Sequence, residues 1–499
     1  MSENNLTSYP KVLEIMKKYD VVIGIEVHCQ LATKSKMFSY AKNAYGDSPN
    51  SNIDPTCLGL PGALPTINEE CVNLAIRMGL ALKSDIQPVS VFARKNYFYP
   101  DLPKGYQITQ YDKPICFGGE LQLASGKKVR IERVQIEEDA GKNIHVGATS
   151  LVDYNRSGVG LIEIVSAPDM TSPEEASDYL RKLHSYVVNL DISEGDLERG
   201  NFRADANVSI KPKGSNVLGQ RCEIKNVNSF KYLEKAIAYE VERQFEVLES
   251  GGTIHMETRG YDSDKNITIG QRSKESAKDY RYFPEPDLPP LVVSKERIEK
   301  VRSQMPELPE SKAARFIEKY GLPEYDAKVI TSSRINSAYF ESLVNSLLGK
   351  VDPKNISNYF MTDVMRASKV FAEEKGISLD ELQQVPVSLE NSNALLSLQA
   401  SGTISGRIAK EIFEEMILSG KSPVEIVKEK NLIQISDETS IAKICEQVIL
   451  ENPEQLAQYL SGKEKLFGFF VGQTMKISGG KLNPSKVNEM LKKLLESKK

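Results

Sequence analysis

The chain has 499 residues, 40% of them hydrophobic and 26% charged, with a formal charge of −4 at pH 7. That length exceeds one domain and leads us to expect two to four. The composition is that of an ordinary globular protein, the charge argues against a generic nucleic-acid coat, and no run of about 18 apolar residues offers a membrane span.

Residues 1–20 read as an N-terminal extension. They have neither the apolar core of a signal peptide nor the Arg-rich, acid-poor make-up of a transit peptide, so a cytoplasmic location is expected. The first strong element is residues 21–31. Ile23, Ile25, Val27, Cys29 and Leu31 alternate with Gly24, Glu26, His28 and Gln30, which predicts a half-buried strand. Its polar side sets a carboxylate and an imidazole roughly 7 Å apart along the strand. Such a pair is a usable half-shell for a divalent cation; the plainer alternative is a solvent-facing Glu and His.

A helix is predicted over 69–82. Residues 94–106 then interleave bases and aromatics, among them Lys95, Tyr97 and Tyr99, a pattern that can stack a base and clamp a phosphate or pack as a Tyr-rich loop. A strand over 128–138 runs into Glu137, Glu138 and Asp139. Alternation groups Glu137 with Gln135 and Glu138 with Val134 and Ile136, and leaves open which acid turns inward. A helix over 173–189 has Ser172 as its cap, Pro173 in the first position, and Glu174 and Glu175 in the first turn.

The strand over 204–210 opposes Ala204, Ala206 and Val208 to Arg203, Asp205 and Asn207. The one over 221–225 opposes Cys222 and Ile224 to Arg221, Glu223 and Lys225. A helix over 230–248 ends at Gly251-Gly252. Residues 279–284 repeat the mixture of aromatics and charges. The Pro-rich stretch 284–290 marks the exit from this first domain.

Beyond it the predicted elements are helices, over 309–319, 337–348, 379–384, 388–401, 404–419, 424–430, 441–452 and 453–461, with a last one after Asn483-Pro484. The expected fold class is α+β, a substantially antiparallel sheet with helices followed by two small helical bundles. From Ser461 onward nine Lys face three Glu, a charge of +6 that leaves −10 on the remainder. A basic end on an acidic body suits a polyanion held remotely, or a solvated Lys-rich helix.

Six scattered cysteines without a Cys-x-x-Cys pair predict buried, reduced thiols. Neither a P-loop, a Gly-x-Gly-x-x-Gly turn nor a Gly-x-Ser-x-Gly elbow is present. If the acid-bearing strands share a sheet, their polar sides converge. Carboxylates, one imidazole and nearby Arg and Lys then suit Mg²⁺ and nucleotide phosphates. The alternative is four independent solvent faces.

The motifs Val22–His28, Arg94–Asp101, Glu137–Lys142, Leu161–Ser166, Arg203–Asn207, Glu223–Phe230 and Asp279–Pro290 together resemble one family, the B subunits of the aspartyl/glutamyl-tRNA(Asn/Gln) amidotransferases of the GatCAB type. The resemblance runs in order from about Val21 to the C-terminus. It implies a cradle domain over 21–292, an all-α helical domain over 293–420 and a small YqeY-like tail domain over 421–499 that binds tRNA. It implies that ATP and Mg²⁺ phosphorylate the side-chain carboxylate of Glu-tRNA(Gln), Asp-tRNA(Asn) or both. Ammonia released by the amidase, or A, subunit then completes the amide, and the small C subunit wraps the other two into a heterotrimer. It implies metal-ligating and catalytic roles for Glu26, His28, Glu138, Asp205 and Glu223, and substrate or nucleotide contacts for Lys95, Tyr97 and Arg203. Some members carry a zinc knuckle of cysteine pairs, but here only Cys57 stands in Asp54–Gly59, so zinc is not expected. A non-catalytic tRNA-binding scaffold is the alternative. A free-standing amidase is disfavoured, because no nucleophile–base constellation is visible.

Overall fold

The computed structural model describes residues 7–227, 229–273, 279–375, 379, 382, 384–432, 437–478 and 482–498. The chain forms two compact units, Met1–Pro309 and Glu310–Lys499.

The first unit is built on the strand Tyr19–Gln30, whose Ile23, Ile25, Val27 and Cys29 are fully buried while Glu26, His28 and Gln30 stay half-buried. Burying each of these aliphatic side chains contributes about 1.5–3 kcal/mol, enough to fix which side of the strand faces the core. On one flank pair Phe202–Pro212, Cys222–Val227, Glu257–Asp262 and Ile267–Ser273. On the other pair Gly160–Ser166, Lys128–Glu138, Cys116–Phe117 and Asp85–Ile86, with Glu120–Gln122 also on Lys128–Glu138. Every pairing is antiparallel except that of Cys222–Val227 with Glu257–Asp262. Those two parallel strands are joined through the helix Phe230–Glu249, the crossover that a parallel pair requires.

That helix and Pro173–Asn189 cover the apolar side of the sheet. Tyr179, Leu180, Leu183, Leu233, Ile237 and Val241 join the strand residues in one core. Pro173–Asn189 starts where its sequence signals place it, with Ser172 accepting from the Glu175 N–H. Phe230–Glu249 stops because Gly251 takes φ +78°, which lets the Gly252 N–H reach Val247 O at 2.8 Å.

Three features were not legible in sequence. Gly160–Ser166 is buried on both sides and shows no alternation. Pro10–Ile15, inside the stretch read as an extension, is a helix that buries Val12 and Ile15 in the main core. Lys295–Gln304 lies past the Pro-rich stretch yet is tied to the helix Glu69–Ala81, Arg297 donating to Asn73 Oδ1 at 2.9 Å. The first unit therefore continues to Pro309.

The second unit is helical. Ser333, Asp352, Ser388, Ser405, Ser422, Asp437 and Asn483 each cap a helix by accepting a first-turn N–H. Its apolar residues form two clusters, one from Ala313 to Val427 and one from Ile441 to Leu495. The predicted helices appear with ends shifted by a few residues, except 379–384, which falls mostly outside the described residues. Helices missing from the sequence reading are Glu324–Ser332, the run Pro353–Lys375 with a π-helical turn at Phe360–Val364, and Phe467–Ile477. Gly468 and Gly472 weaken the last one's propensity, and the burial of Phe470 overrides them.

Candidate active site

Register gathers the polar residues. Across the Phe202–Pro212 pairing, Glu26 lies opposite Asp205, His28 opposite Arg203 and Gly24 opposite Asn207. Across the other pairing His28 lies opposite Glu163. One strand further out Glu163 lies opposite Gln135 and Leu161 opposite Glu137. On the far flank Asn207 lies opposite Glu223. Directly opposed residues project to the same side, so Glu26, His28, Gln135, Glu137, Glu163, Arg203, Asp205, Asn207 and Glu223 share the side away from the two covering helices.

Within that face, His28, Glu137 and Glu163 each bring one ligand atom to within 4.8 Å of the others. His28 Nε2 is 3.8 Å from Glu137 Oε1. Both acids are nearly buried, at 3% and 9% exposure. Burial pushes the Glu137 carboxyl above the usual range, although Lys95 and the Thr109 hydroxyl pull against it. Burial and the neighbouring Glu137 push Glu163 up as well. Thr109 Oγ1 donates to Glu137 at 2.9 Å and Gln135 donates to Glu163, which fixes both carboxylates. Two like charges held together out of water are stabilised by a shared cation.

Glu138 is not part of this cluster, a correction to the expected ligand set. Period two turns it to the opposite side from Glu137. There it pairs with Lys104 and accepts the Ile108 N–H at 2.9 Å. Glu26, Asp205 and Glu223 lie on the cluster's face but surround a different group. Lys225 Nζ is 2.8 Å from Asp205 and 3.5 Å from Glu223. Glu26 accepts from Asn207 Nδ2 at 3.0 Å.

Lys95 sits beside Glu137. Burial pulls its ammonium down, but Glu137, Tyr282 and Glu163 outweigh that and hold it charged above its ordinary range. Its Nζ lies 4.8 Å from the Tyr280 ring centre and 6.0 Å from that of Tyr97. Tyr97 contacts Tyr280, Tyr280 contacts Tyr282, and Tyr282 stacks on Tyr111 at 4.2 Å. The two aromatic segments seen in the sequence thus form one cage about Lys95. Arg94 takes no part in it, being spent on Glu285 and Asp287. Arg203 donates to Asp139 at 2.9 Å. Burial raises Asp139, but Arg203 and Arg156 overcome it and hold the carboxyl below its ordinary value.

Sequence reasoning missed Glu163, although one acid inside the apolar run Leu161–Val165 is itself a signal for a buried carboxylate. All six cysteines are free and buried, as expected. Cys57 Sγ lies 3.2 Å from Ser39 Oγ, and the Lys36 ammonium and Asp54 press on it. A thiol, a hydroxyl and one carboxylate around a resident ammonium do not fit a zinc ion.

The family described as the GatB/GatE catalytic domain matches residues 21–299, and the GatB domain matches residues 338–495. The B subunit of the aspartyl/glutamyl-tRNA(Asn/Gln) amidotransferase from Geobacter sp. (strain M21) is 50% identical over 486 residues, covering 96% of this chain and 100% of the relative. The protein of the same name from Thermodesulfovibrio yellowstonii is 48% identical over 96% of this chain and 100% of its own length. That from Halorhodospira halophila is 49% identical over 96% and 99%.

Proposed function

The chain belongs to the family of aspartyl/glutamyl-tRNA(Asn/Gln) amidotransferase B subunits, and from that premise we propose that its sheet face activates a tRNA-borne carboxylate for amidation. The substrate is Glu-tRNA(Gln), Asp-tRNA(Asn) or both. A carboxylate is a poor acyl donor. Its oxygen attacks the γ-phosphorus of ATP, the bond to ADP breaks, and an acyl phosphate forms. Ammonia then attacks the acyl carbon and phosphate leaves, giving the amide. The overall reaction is that of an ATP-dependent carbon–nitrogen ligase.

His28, Glu137 and Glu163 are the residues that fit a Mg²⁺ ion, with Glu26, Asp205 and Glu223 on the same face. Such an ion, when bound, neutralises charge on the nucleotide phosphates. The side chains supply the rest. Lys95 stays charged in its aromatic cage and offers an ammonium to a phosphoryl oxygen. Thr109 and Gln135 hold the two acids in place. Asp139 holds Arg203 at the edge of the face, where an anion can reach it.

Free ammonia would be protonated in water, which favours its delivery inside a complex; the partners proposed, as the family resemblance implies, are an amidase subunit and a small third chain that complete a heterotrimer. The Lys-rich end, where Lys486, Lys492, Lys493 and Lys498 are exposed, suits the tRNA backbone. No helix among the described residues is long and apolar enough to cross a membrane, and the proposed location is the cytoplasm.

The convergence of His28, Glu137 and Glu163 carries this reading, since a scaffold that only presented tRNA has no use for two buried carboxylates at one imidazole. The test is ATP hydrolysis by the reconstituted heterotrimer, dependent on misacylated tRNA. Glu26→Ala, Asp205→Ala and Glu137→Gln are each expected to slow it by about 10²-fold or more. Wild-type turnover and amidation in all three would refute it.

A further inference from the structure

The aromatic run Tyr97-Phe98-Tyr99 is only partly used by the cage about Lys95. Tyr97 joins that cage, but Phe98 is 78% exposed and Tyr99 47%. The exposed Phe98 ring is nevertheless held. A Cβ at Gly105 would lie 3.2 Å from Phe98 Cε1, so the ring rests along the Gly105 backbone, whose φ of +73° favours glycine. Phe98, Tyr99, Pro100, Leu102 and Pro103 line a shallow, open depression of about 510 Å³. Contiguous exposed apolar surface of this kind marks a binding surface. Lys104 is the one charged residue in the lining, and it is paired with Glu138. The depression therefore offers rings rather than charge, which suits the face of a nucleobase and not a phosphate.

Its position says which base. The Tyr97 ring centre is 6.0 Å from Lys95 Nζ and 6.0 Å from the Tyr99 ring centre, so Tyr99 lies no more than about 12 Å from the ammonium beside Glu137. An aminoacyl-tRNA carries its amino acid on the ribose of its 3′-terminal adenosine. From a glutamyl or aspartyl side-chain carboxylate, through the ester and the ribose, to that base is roughly 9–12 Å of extended chain. A carboxylate at the polar face therefore leaves the terminal adenine within reach of the depression. The reaction has a second adenine, that of ATP, and the open shape decides between them. A small ligand is held by a pocket that buries most of its surface, whereas this depression leaves one side in solvent. A base delivered on a tRNA gripped elsewhere needs no enclosure, because its tether keeps it at high effective concentration.

We infer that Phe98, flanked by Tyr99, is the stacking platform for the 3′-terminal adenine of the misacylated tRNA. It fixes the ribose that bears the amino acid and so aims the side-chain carboxylate at the polar face. This rests on the reading of that face as the place where the carboxylate is activated, and it adds where the nucleoside carrying the carboxylate is held.

The test is steady-state amidation of misacylated tRNA by the heterotrimer. Phe98→Ala is expected to lower kcat/KM for the tRNA about tenfold or more and to leave KM for ATP unchanged. Phe98→Trp, which keeps a π face, is expected to retain the wild-type kcat/KM. Phe98→Leu, which keeps only apolar bulk, is expected to resemble Phe98→Ala. A misacylated tRNA whose terminal nucleotide lacks its base is expected to lose the same factor with wild type and nothing more with Phe98→Ala. Two losses that multiply, or an undiminished kcat/KM in Phe98→Ala, overturn the inference. A raised KM for ATP with an unchanged kcat/KM for tRNA overturns it as well and gives the depression to the nucleotide. Failure of the underlying reading is told apart by the wild type: amidation without ATP consumption overturns the role of the face, whatever Phe98 does.

Discussion

Glu163 and Glu137 show what the site costs the protein that carries it. Both carboxyls titrate above their ordinary value of 4.5, so when ionised they destabilise the folded state. As pH falls from neutral through their raised folded pKa values, the folded protein takes up protons before the unfolded chain does, and the metal-free protein gains stability from these groups until the unfolded value is reached. Glu163→Gln removes one charge of the pair and is expected to raise the melting temperature of the metal-free protein by about 2–4 °C. It should also flatten that acid-side gain and abolish the stabilisation by Mn²⁺. A lower melting temperature with undiminished Mn²⁺ stabilisation would count against Glu163 as a ligand. Glu137→Gln is expected to lose tRNA-dependent ATP hydrolysis, while Glu138→Gln is expected to retain Mn²⁺ affinity and lose stability, since it uncouples Lys104. Glu26, His28, Asp205 and Glu223 were legible because each sits on a strand with one polar side. Glu137 was not separable from Glu138, because three acids in a row satisfy either phase. Glu163 was hidden because its strand is buried on both sides.

Elements were legible where local chemistry decided them. Pro173–Asn189 was bounded correctly by its cap, its leading Pro and its acidic first turn. Long-range pairing was not, since nothing local announces that Cys222–Val227 runs parallel to Glu257–Asp262. The helix between them does more than cover the sheet. Gln244 Nε2 donates to Val208 O at 3.0 Å, and Gln244 Oε1 accepts the Ile210 N–H at 3.2 Å, serving the strand where its outer neighbour has ended. Gln244 also donates to Glu240, which is fully buried and held below its ordinary value despite burial, Arg243 being the largest opposing influence. Gln244→Leu leaves two buried strand groups unpaired and is expected to cost about 2–6 kcal/mol, read by urea unfolding of the first unit. A loss under about 1 kcal/mol, the net worth of a single ordinary hydrogen bond, would mean that the strand edge does not depend on the helix.

At the scale of the whole molecule the division of labour follows charge. Carboxylates gather on the sheet of the first unit, and the exposed lysines of the last helix, Pro484–Glu496, stand opposite its buried Val487, Leu491 and Leu495. Composition made that asymmetry legible, but not where the end begins. Ile441, Cys445 and Val448 share a core with Val487 and Leu491, so a cut near Pro453 would break a packed cluster, and Leu432 is the sounder boundary. Removing residues 433–499 is expected to leave assembly with the partner chains intact. It should weaken tRNA binding about tenfold or more and make its salt dependence shallower. Unchanged affinity and slope would remove the Lys-rich end from the tRNA interface. The central claim, that this chain activates a carboxylate by phosphorylation, has its most direct test in the fate of one oxygen. The heterotrimer is given ATP, an ammonia source and misacylated tRNA with ¹⁸O in both oxygens of the side-chain carboxylate, and the inorganic phosphate is read by mass spectrometry. One ¹⁸O per amide formed is expected in the phosphate, with neither amide nor labelled phosphate from the Glu137→Gln complex. Amide formed at the wild-type rate alongside unlabelled phosphate would contradict the account.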